Sequence, residues 1–353
     1  MSHPIAPERE AERRAPKAAP PQPNPARIFQ TFNAFQQSAA LKAAIELDVF
    51  TAIGEGLTTS EQIAQRTQAA QRGIRILCDY LVVLGLLAKN HTHYDLTIDS
   101  ATFLDRRSPA YMGTAVRFLN APEMLDAYSN LTEAVRKGGT MIGEGGTIKP
   151  ENPLWVEFAR SMAPMMAMPA KMIAQIVGAD SGGKCRVLDI AAGHGYFGIA
   201  IARQNPQAEI VALDWPQVLE VAKENARKAG VDSRYSTIAG SAFEVEFGAD
   251  YDLVLLTNFL HHFDPPTCES LLRKVCAALA PGGRAVTLEF IPNDDRVTPP
   301  EVATFSMIML GTTPQGDAYT LAEFDQMFRH AGFQRSEMTR LEGAPESVIV
   351  SWK

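Results

Sequence analysis

Two short stretches of this sequence hold residues that can do chemistry, each in a loop that follows an apolar run. The first is Val187-Leu188-Asp189-Ile190-Ala191-Ala192-Gly193-His194-Gly195. Glycines after a strand let backbone approach a ligand, because glycine has no Cβ and adopts φ above zero. Asp189 ends the strand, where a carboxylate can face a positively charged ligand group. A second apolar run ends at Asp214, and an acid there can accept both hydroxyls of an adenosine ribose. The other stretch is Asn258-Phe259-Leu260-His261-His262-Phe263-Asp264, after the apolar run 253–256. Free imidazole titrates near ~6.5, so a neutral histidine can take a proton at neutral pH. A phenol titrates near ~10 and is a poor nucleophile until its proton starts to leave. A histidine pair just after a strand favours His261 as such an acceptor, with His262 as a packing or ligand-shell neighbour. His194 reads as a neighbour of whatever the glycine loop binds. His91, His93 and His330 have no acid or cysteine cluster beside them, so no metal is expected.

The elements that must position these residues alternate. Strands are expected at 186–190, 209–213, 253–256, 285–290 and 347–352, and helices at 195–203, 218–229, 268–279 and 321–331. That order is an α/β domain, doubly wound on a mostly parallel sheet. Upstream, Ile28, Phe32, Phe35 and Ala39 form one stripe of an amphipathic helix. Thr58-Thr59-Ser60-Glu61-Gln62 is a capping-box helix start. Ile74, Leu77, Leu81 and Leu84 line a further helix, and 86–96 reads as a small hairpin. Helix, helix, hairpin is the order of a winged helix-turn-helix. Residues 101–180 look helical around a glycine-rich break at 138–146, with one long methionine-rich helix over 155–177. Its Met162 and Met166, like Phe305 and Met309 farther on, suit a wall for a flat ring as well as they suit plain core.

At 353 residues the chain exceeds the size at which one core stops growing, roughly 250–300 residues, so more than one domain is expected. Hydrophobic residues make up 46% and charged residues 21%, the balance of a soluble globular protein. The formal charge of −7 disfavours nucleic acid and anionic membrane as partners. The four cysteines form no CxxC pair and suit the reducing cytoplasm as buried free thiols. No apolar run is long enough to span a membrane. Seven prolines fall within residues 1–26, which read as a disordered tail. Residues 27–100 form the winged-helix-like unit, 101–180 the connecting helices and 181–353 the α/β domain.

With these motifs in place, the chain resembles class I S-adenosylmethionine-dependent small-molecule O-methyltransferases of the caffeate and acetylserotonin type, with their bacterial relatives. The stretch 187–195 looks like their first cofactor motif. Asp214-Trp215-Pro216 looks like their Asp-x-Pro, and Leu279-Ala280-Pro281-Gly282-Gly283 like their turn before the fifth strand. The resemblance implies a Rossmann-like S-adenosylmethionine domain, ending in an extra antiparallel strand at 347–352, behind an N-terminal homodimerisation domain. It implies that Gly193 and Gly195 pack against the cofactor, that Asp189 faces its amine and that Asp214 binds its ribose. Trp215, Ser241, Ala242 and Phe243 would surround the adenine, with Asn258 also at the cofactor. The family places a general-base histidine seven residues before a cysteine, which gives His261 ahead of Cys268, and a Glu 28 residues later that bonds it, here Glu289. Glu289 can hold the imidazole tautomer and stabilise its charged form. One departure stands out. Ala318 occupies the place of a second family Glu, and Asp317 lies beside it.

The implied activity is methylation of a phenolic or hydroxylated aromatic small molecule, with the acceptor among Met162, Met166, His262, Phe305 and Met309. The departure at Ala318 leaves C- or N-methylation open. Gly193-His194-Gly195-Tyr196-Phe197-Gly198 also satisfies GxGxxG, so a nicotinamide oxidoreductase is a competing reading. A winged-helix DNA-binding regulator is another. Residues 27–100 hold six Lys and Arg against seven Asp and Glu, which lacks the electrostatic footprint of phosphate binding.

Overall fold

The computed structural model describes residues 23–353. The expected tail over 1–26 lies outside them, apart from its last four residues. The N-terminal stripe is divided between two helices, Ala26–Phe32 and Ala34–Glu46, because Asn33 closes the first and its side chain bonds the Phe29 carbonyl. Ile28, Phe32 and Phe35 stay exposed at 58%, 69% and 69%, so the stripe finds no partner among the described residues. Thr59 caps the helix Ser60–Thr67 in a capping box with Gln62. The helix Gln71–Val83 buries Ile74, Cys78 and Leu81, one face at helical spacing. A hairpin follows, β1 (Leu87–Asn90) with β2 (His93–Leu96), and Tyr94 closes the small core with Phe50, Ile63 and Leu81.

The expected single helix over 155–177 is two, Leu154–Ser161 and Ala163–Ile176. Pro164 explains the division. Proline has no N–H for the carbonyl four residues back, so it favours the first turn of a helix, where that bond is not needed; Pro169, farther along, stays within the second helix. The glycine-rich break straps onto a distant segment. Thr140 Oγ1 donates to the Gly311 carbonyl and Thr147 Oγ1 to that of Thr312.

The C-terminal half is built on a seven-stranded sheet of β3 (Cys185–Ile190), β4 (Ala208–Asp214), β5 (Tyr235–Ala239), β6 (Tyr251–Thr257), β7 (Leu279–Glu289), β8 (Arg335–Arg340) and β9 (Ser347–Trp352). Its order is β5-β4-β3-β6-β7-β9-β8. The first five strands are parallel, β9 runs antiparallel to them, and β8, antiparallel to β9, returns to their direction. The expected late antiparallel strand is β9, inserted between β7 and β8. Helices cover both faces. Leu271, Leu272, Phe324 and Phe328 pack on one side, Ile173, Phe197 and Ile201 on the other. The ends of β3, β4, β6 and β7 therefore carry Ile190, Asp214, Thr257 and Glu289 to one rim, where ligands bind in such sheets. Among the described residues no helix is long and apolar enough to cross a membrane.

Phe328 is fully buried and meets Phe333 edge-on at 5.1 Å. Phe328→Ala should cost about 3–5 kcal/mol of unfolding free energy, read from the urea midpoint at unchanged slope.

Candidate active site

The loop after β3 is built by backbone that few residues tolerate. Ala191, Gly193 and Gly195 all have positive φ. At Gly195, with φ of 77°, a Cβ would lie 2.5 Å from Tyr235 Oη and 3.1 Å from Ala222 Cβ. Asp189, wholly buried beneath the loop, accepts the Gly198 N–H at 3.1 Å through Oδ2, while Oδ1 has no partner. Burial pushes its carboxyl up to about 7. Asp214 accepts the Gly193 N–H at 2.8 Å and its neighbour Trp215 N–H at 2.7 Å, and burial lifts it to about 6. So Asp214 ties the end of β4 to the loop after β3.

A cavity of about 1430 Å³ opens from this loop. Gly193, Asp214, Trp215, Ser241, Ala242, Phe243 and Asn258 line it, as the cofactor motif implies. Two expected residues lie elsewhere. Gly195 packs against Tyr235 and Ala222 behind the loop, and Asp189 is sealed under it, so neither is part of the lining. Both shape the loop from behind. His194 is also behind the lining; it accepts the Tyr196 N–H at 3.1 Å, and burial lowers its ring to about 4.

The other end of the cavity holds His261. Its Nδ1 lies 2.5 Å from Glu289 Oε2, with both side chains almost wholly buried. Glu289 Oε1 accepts three backbone N–H groups, from Phe259 at 3.1 Å, Leu260 at 2.8 Å and His261 at 3.4 Å. A carboxylate so surrounded by donors acts as an acceptor, which assigns the ring proton to Nδ1 and leaves Nε2 with a lone pair. The seven-residue spacing to Cys268 also has a physical reading. Its Sγ, 3.2 Å from the Leu260 carbonyl, donates there, and burial raises the thiol so that it keeps its proton. His262 bonds the Phe259 carbonyl at 3.2 Å, and burial drives its ring well below the usual histidine range.

Met162, at the helix break, and Met166, one turn into the second helix, line the cavity. Phe305 and Met309 do the same from the helix Phe305–Thr312, while Met307 points outward, 47% exposed. Phe305 stacks on Phe290 at 3.9 Å and meets His261 edge-on at 4.8 Å. Trp155 meets His262 at 5.3 Å and Phe158 at 5.6 Å, an aromatic wall that sequence reading passed over. Its only signal was the i, i+3 spacing of Trp155 and Phe158 just before the methionine run. Asp317 does not substitute for an acid at Ala318. Its Oδ1 accepts the Ala318 N–H and its Oδ2 pairs with Arg296 at 3.3 Å.

The lining fits S-adenosylmethionine, a ligand with a sulfonium, an amine and a ribose. It includes Asp214 and Glu244, no Lys or Arg, and Asn258, whose buried Oδ1 has no partner.

An O-methyltransferase domain model matches residues 128–334, and an O-methyltransferase dimerisation domain model matches residues 29–106. The 3-hydroxy-5-methyl-1-naphthoate 3-O-methyltransferase of Streptomyces sahachiroi is 30% identical over 328 residues, 89% of this chain and 91% of that protein. The L-tyrosine C(3)-methyltransferase of Streptomyces lavendulae is 26% identical over 332 residues, 89% of this chain and 88% of its own. A crystal structure from Nostoc punctiforme, of a protein assigned as an O-methyltransferase, superposes with a TM-score of 0.92 at 56% identity. It covers 94% of this chain and 100% of that one.

An unfolded Asp189 ionises near 3.8, whereas the buried one holds its proton to about 7. Between those values the unfolded chain releases a proton that the folded chain keeps, so stability falls as pH rises. Asp189→Asn should lack this fall. In thermal unfolding of ligand-free protein, the variant should gain on the wild type steadily from about pH 4 to pH 7.

Proposed function

The chain belongs to the O-methyltransferase family, which draws its methyl group from S-adenosylmethionine, and from that premise we propose that it methylates a hydroxyl of an aromatic small molecule with His261 as general base. The 2.5 Å contact between His261 Nδ1 and Glu289 carries this reading. With Nδ1 committed to Glu289, Nε2 is the atom that takes the acceptor's proton, and Glu289 stabilises the charge that then forms on the ring. S-adenosylmethionine, when bound, supplies a sulfonium-activated methyl group. Gly193, Asp214, Trp215, Ser241, Ala242, Phe243 and Asn258 would hold it, and Asp189 and Gly195 would shape the loop for it. Met162, Met166, His262, Phe305 and Met309 would hold the acceptor ring. A cavity of about 1430 Å³ exceeds the ~300–1,000 Å³ of a single-ligand site, which supports side-by-side binding of two ligands. The aromatic and methionine walls exclude water, which favours a step in which a sulfonium and an emerging phenolate cancel.

The family assignment leaves the nicotinamide and DNA-binding readings without support. Transfer to a ring carbon is the second reading, favoured by the tyrosine C(3)-methyltransferase relative and by the methyl group of Ala318 where an acid was expected. The position of the new methyl group in the product separates the two.

The dimerisation match and the exposed stripe of Ile28, Phe29, Phe32 and Phe35 support a homodimer. We divide the chain into a winged-helix-like dimerisation unit over 27–100, connecting helices to 180 and the catalytic domain beyond. The helix Ala163–Ile176 already packs into the catalytic core. We assign no nucleic-acid partner, and four unpaired thiols support a cytoplasmic location.

His261→Ala should lower transfer to a phenol about 10²–10⁴-fold, followed as S-adenosylhomocysteine release. Calorimetric affinity for S-adenosylhomocysteine should stay within a few-fold. Retained transfer would show that orientation alone suffices. Replacing Phe32 and Phe35 together by Ser should move the protein toward monomer in sedimentation velocity.

A further inference from the structure

The cavity holds a second buried acid that the reaction described above does not use. Glu346 lies in the turn between β8 and β9, where the residues read Gly343-Ala344-Pro345-Glu346. It is 3% exposed and lines the same cavity as His261. Its place in the sheet brings it to the base. Ser347, the next residue, is the register partner of Glu289 across the β7–β9 ladder. Glu289 is committed, with four donors around its two oxygens. Glu346 is not. Apart from its own backbone N–H, no group among the described residues is hydrogen-bonded to its carboxyl.

Glu346 faces the cavity, and a carboxyl there with no side-chain partner is met by water or by a ligand. We propose that Glu346 is a specificity-determining residue whose carboxyl takes a second hydroxyl of an uncharged aromatic acceptor, beside the hydroxyl that His261 deprotonates. The proposal rests on the methyl-transfer reading.

Three observations select a hydroxyl. Burial, with Glu289 nearby, raises the Glu346 carboxyl above the usual range, and a hydroxyl can donate to the ionised form or accept from the neutral one. No Lys or Arg lines the cavity, while Glu346, Asp214, Glu244 and Glu301 do, so an acceptor carboxylate would find like charge and no counter-charge. A cationic acceptor would meet the sulfonium of the methyl donor in the same cavity. What remains is a neutral ring with two hydroxyls. A smaller cavity of about 150 Å³ shares Glu301, Ala344, Pro345 and Glu346 with the first.

The test is calorimetry on the complex with S-adenosylhomocysteine, with naphthol, the dihydroxynaphthalenes and a hydroxynaphthoate as probes. At least one diol should bind the wild type roughly tenfold or more tighter than naphthol, the scale of one hydrogen bond to a charged group. The hydroxynaphthoate should bind more weakly than that diol. Glu346→Ala should bring the diol to the affinity of naphthol, and Glu346→Gln should keep part of the preference. S-adenosylhomocysteine affinity should be unchanged in both variants, which also shows that they fold. If Glu346→Ala does not bind it, Glu346→Gln alone decides. The inference fails if S-adenosylhomocysteine binds but no diol is preferred, if the naphthoate binds best, or if removal of the carboxyl leaves the preference intact. A wild type that does not bind S-adenosylhomocysteine overturns the methyl-transfer reading, and this inference with it.

Discussion

The rest of the site depends on one buried carboxylate. Glu289 has no exposure and stands at the last position of β7, in the middle of the sheet. Taking such a group out of water is costly unless every lone pair finds a donor, and leaving it unpaired costs about 3–5 kcal/mol. The donors come from one place, the backbone of Phe259, Leu260 and His261 and the ring of His261. The loop after β6 must therefore curl over the end of β7. That requirement accounts for the positive φ of Asn258 at the start of the curl, and for the Cys268 thiol that holds the Leu260 carbonyl from the following helix. His261, the proposed general base, is positioned by the backbone hydrogen bonds to its partner together with the packing of its own ring against Phe305.

The cofactor end is governed by the same cost with the opposite resolution. Asp189 and Asp214 receive backbone donors but no cation, and burial raises both. With Glu244, Glu301 and Glu346, the cavity is lined by acids and no Lys or Arg. A sulfonium and an amine bound here would meet acids and no like charge. Ligand binding and folding stability are linked, since whatever binds the folded chain alone stabilises it.

How far the sequence was legible follows from which interactions are local. The glycine loop, Asp214, His261, Glu289 and the parallel core strands were readable, because chemistry and apolar runs coincide there. The strands β5 and β8 were not. They are the two edges of the sheet, and β8 reads Arg-Ser-Glu-Met-Thr-Arg, with the charges that blunt an edge and hide its alternation. The helix over 155–177 was read as continuous although Pro164 announced its break. Gly195 and Asp189 were expected at the ligand because their spacing matches a motif. Spacing cannot tell a residue that touches the ligand from one that shapes the loop beneath it. Trp155, Phe158 and Glu346 escaped for a further reason. Their meeting around the cavity depends on tertiary packing: Trp155 reaches His262, and Glu346 arrives because Ser347 lies opposite Glu289.

That contrast separates what makes this chain a methyltransferase from what selects its acceptor. The donor site and the base come from the rim of one sheet, within a span of about a hundred residues. The wall proposed for the acceptor comes from elsewhere in the chain. Phe103, Met112, Trp155 and Met162 reach the cavity from the segment 101–180, Phe305 and Met309 from a helix after β7, and Glu346 from the turn between β8 and β9. No one of these segments is held by the chemistry of methyl transfer, so each can change without loss of the reaction. Relatives that methylate an oxygen of a naphthoate and a carbon of tyrosine fit that freedom. The constraint on this chain is narrower: whatever ring enters must meet a wall of aromatics and methionines with no cation in it, and must give Glu346 something to bond.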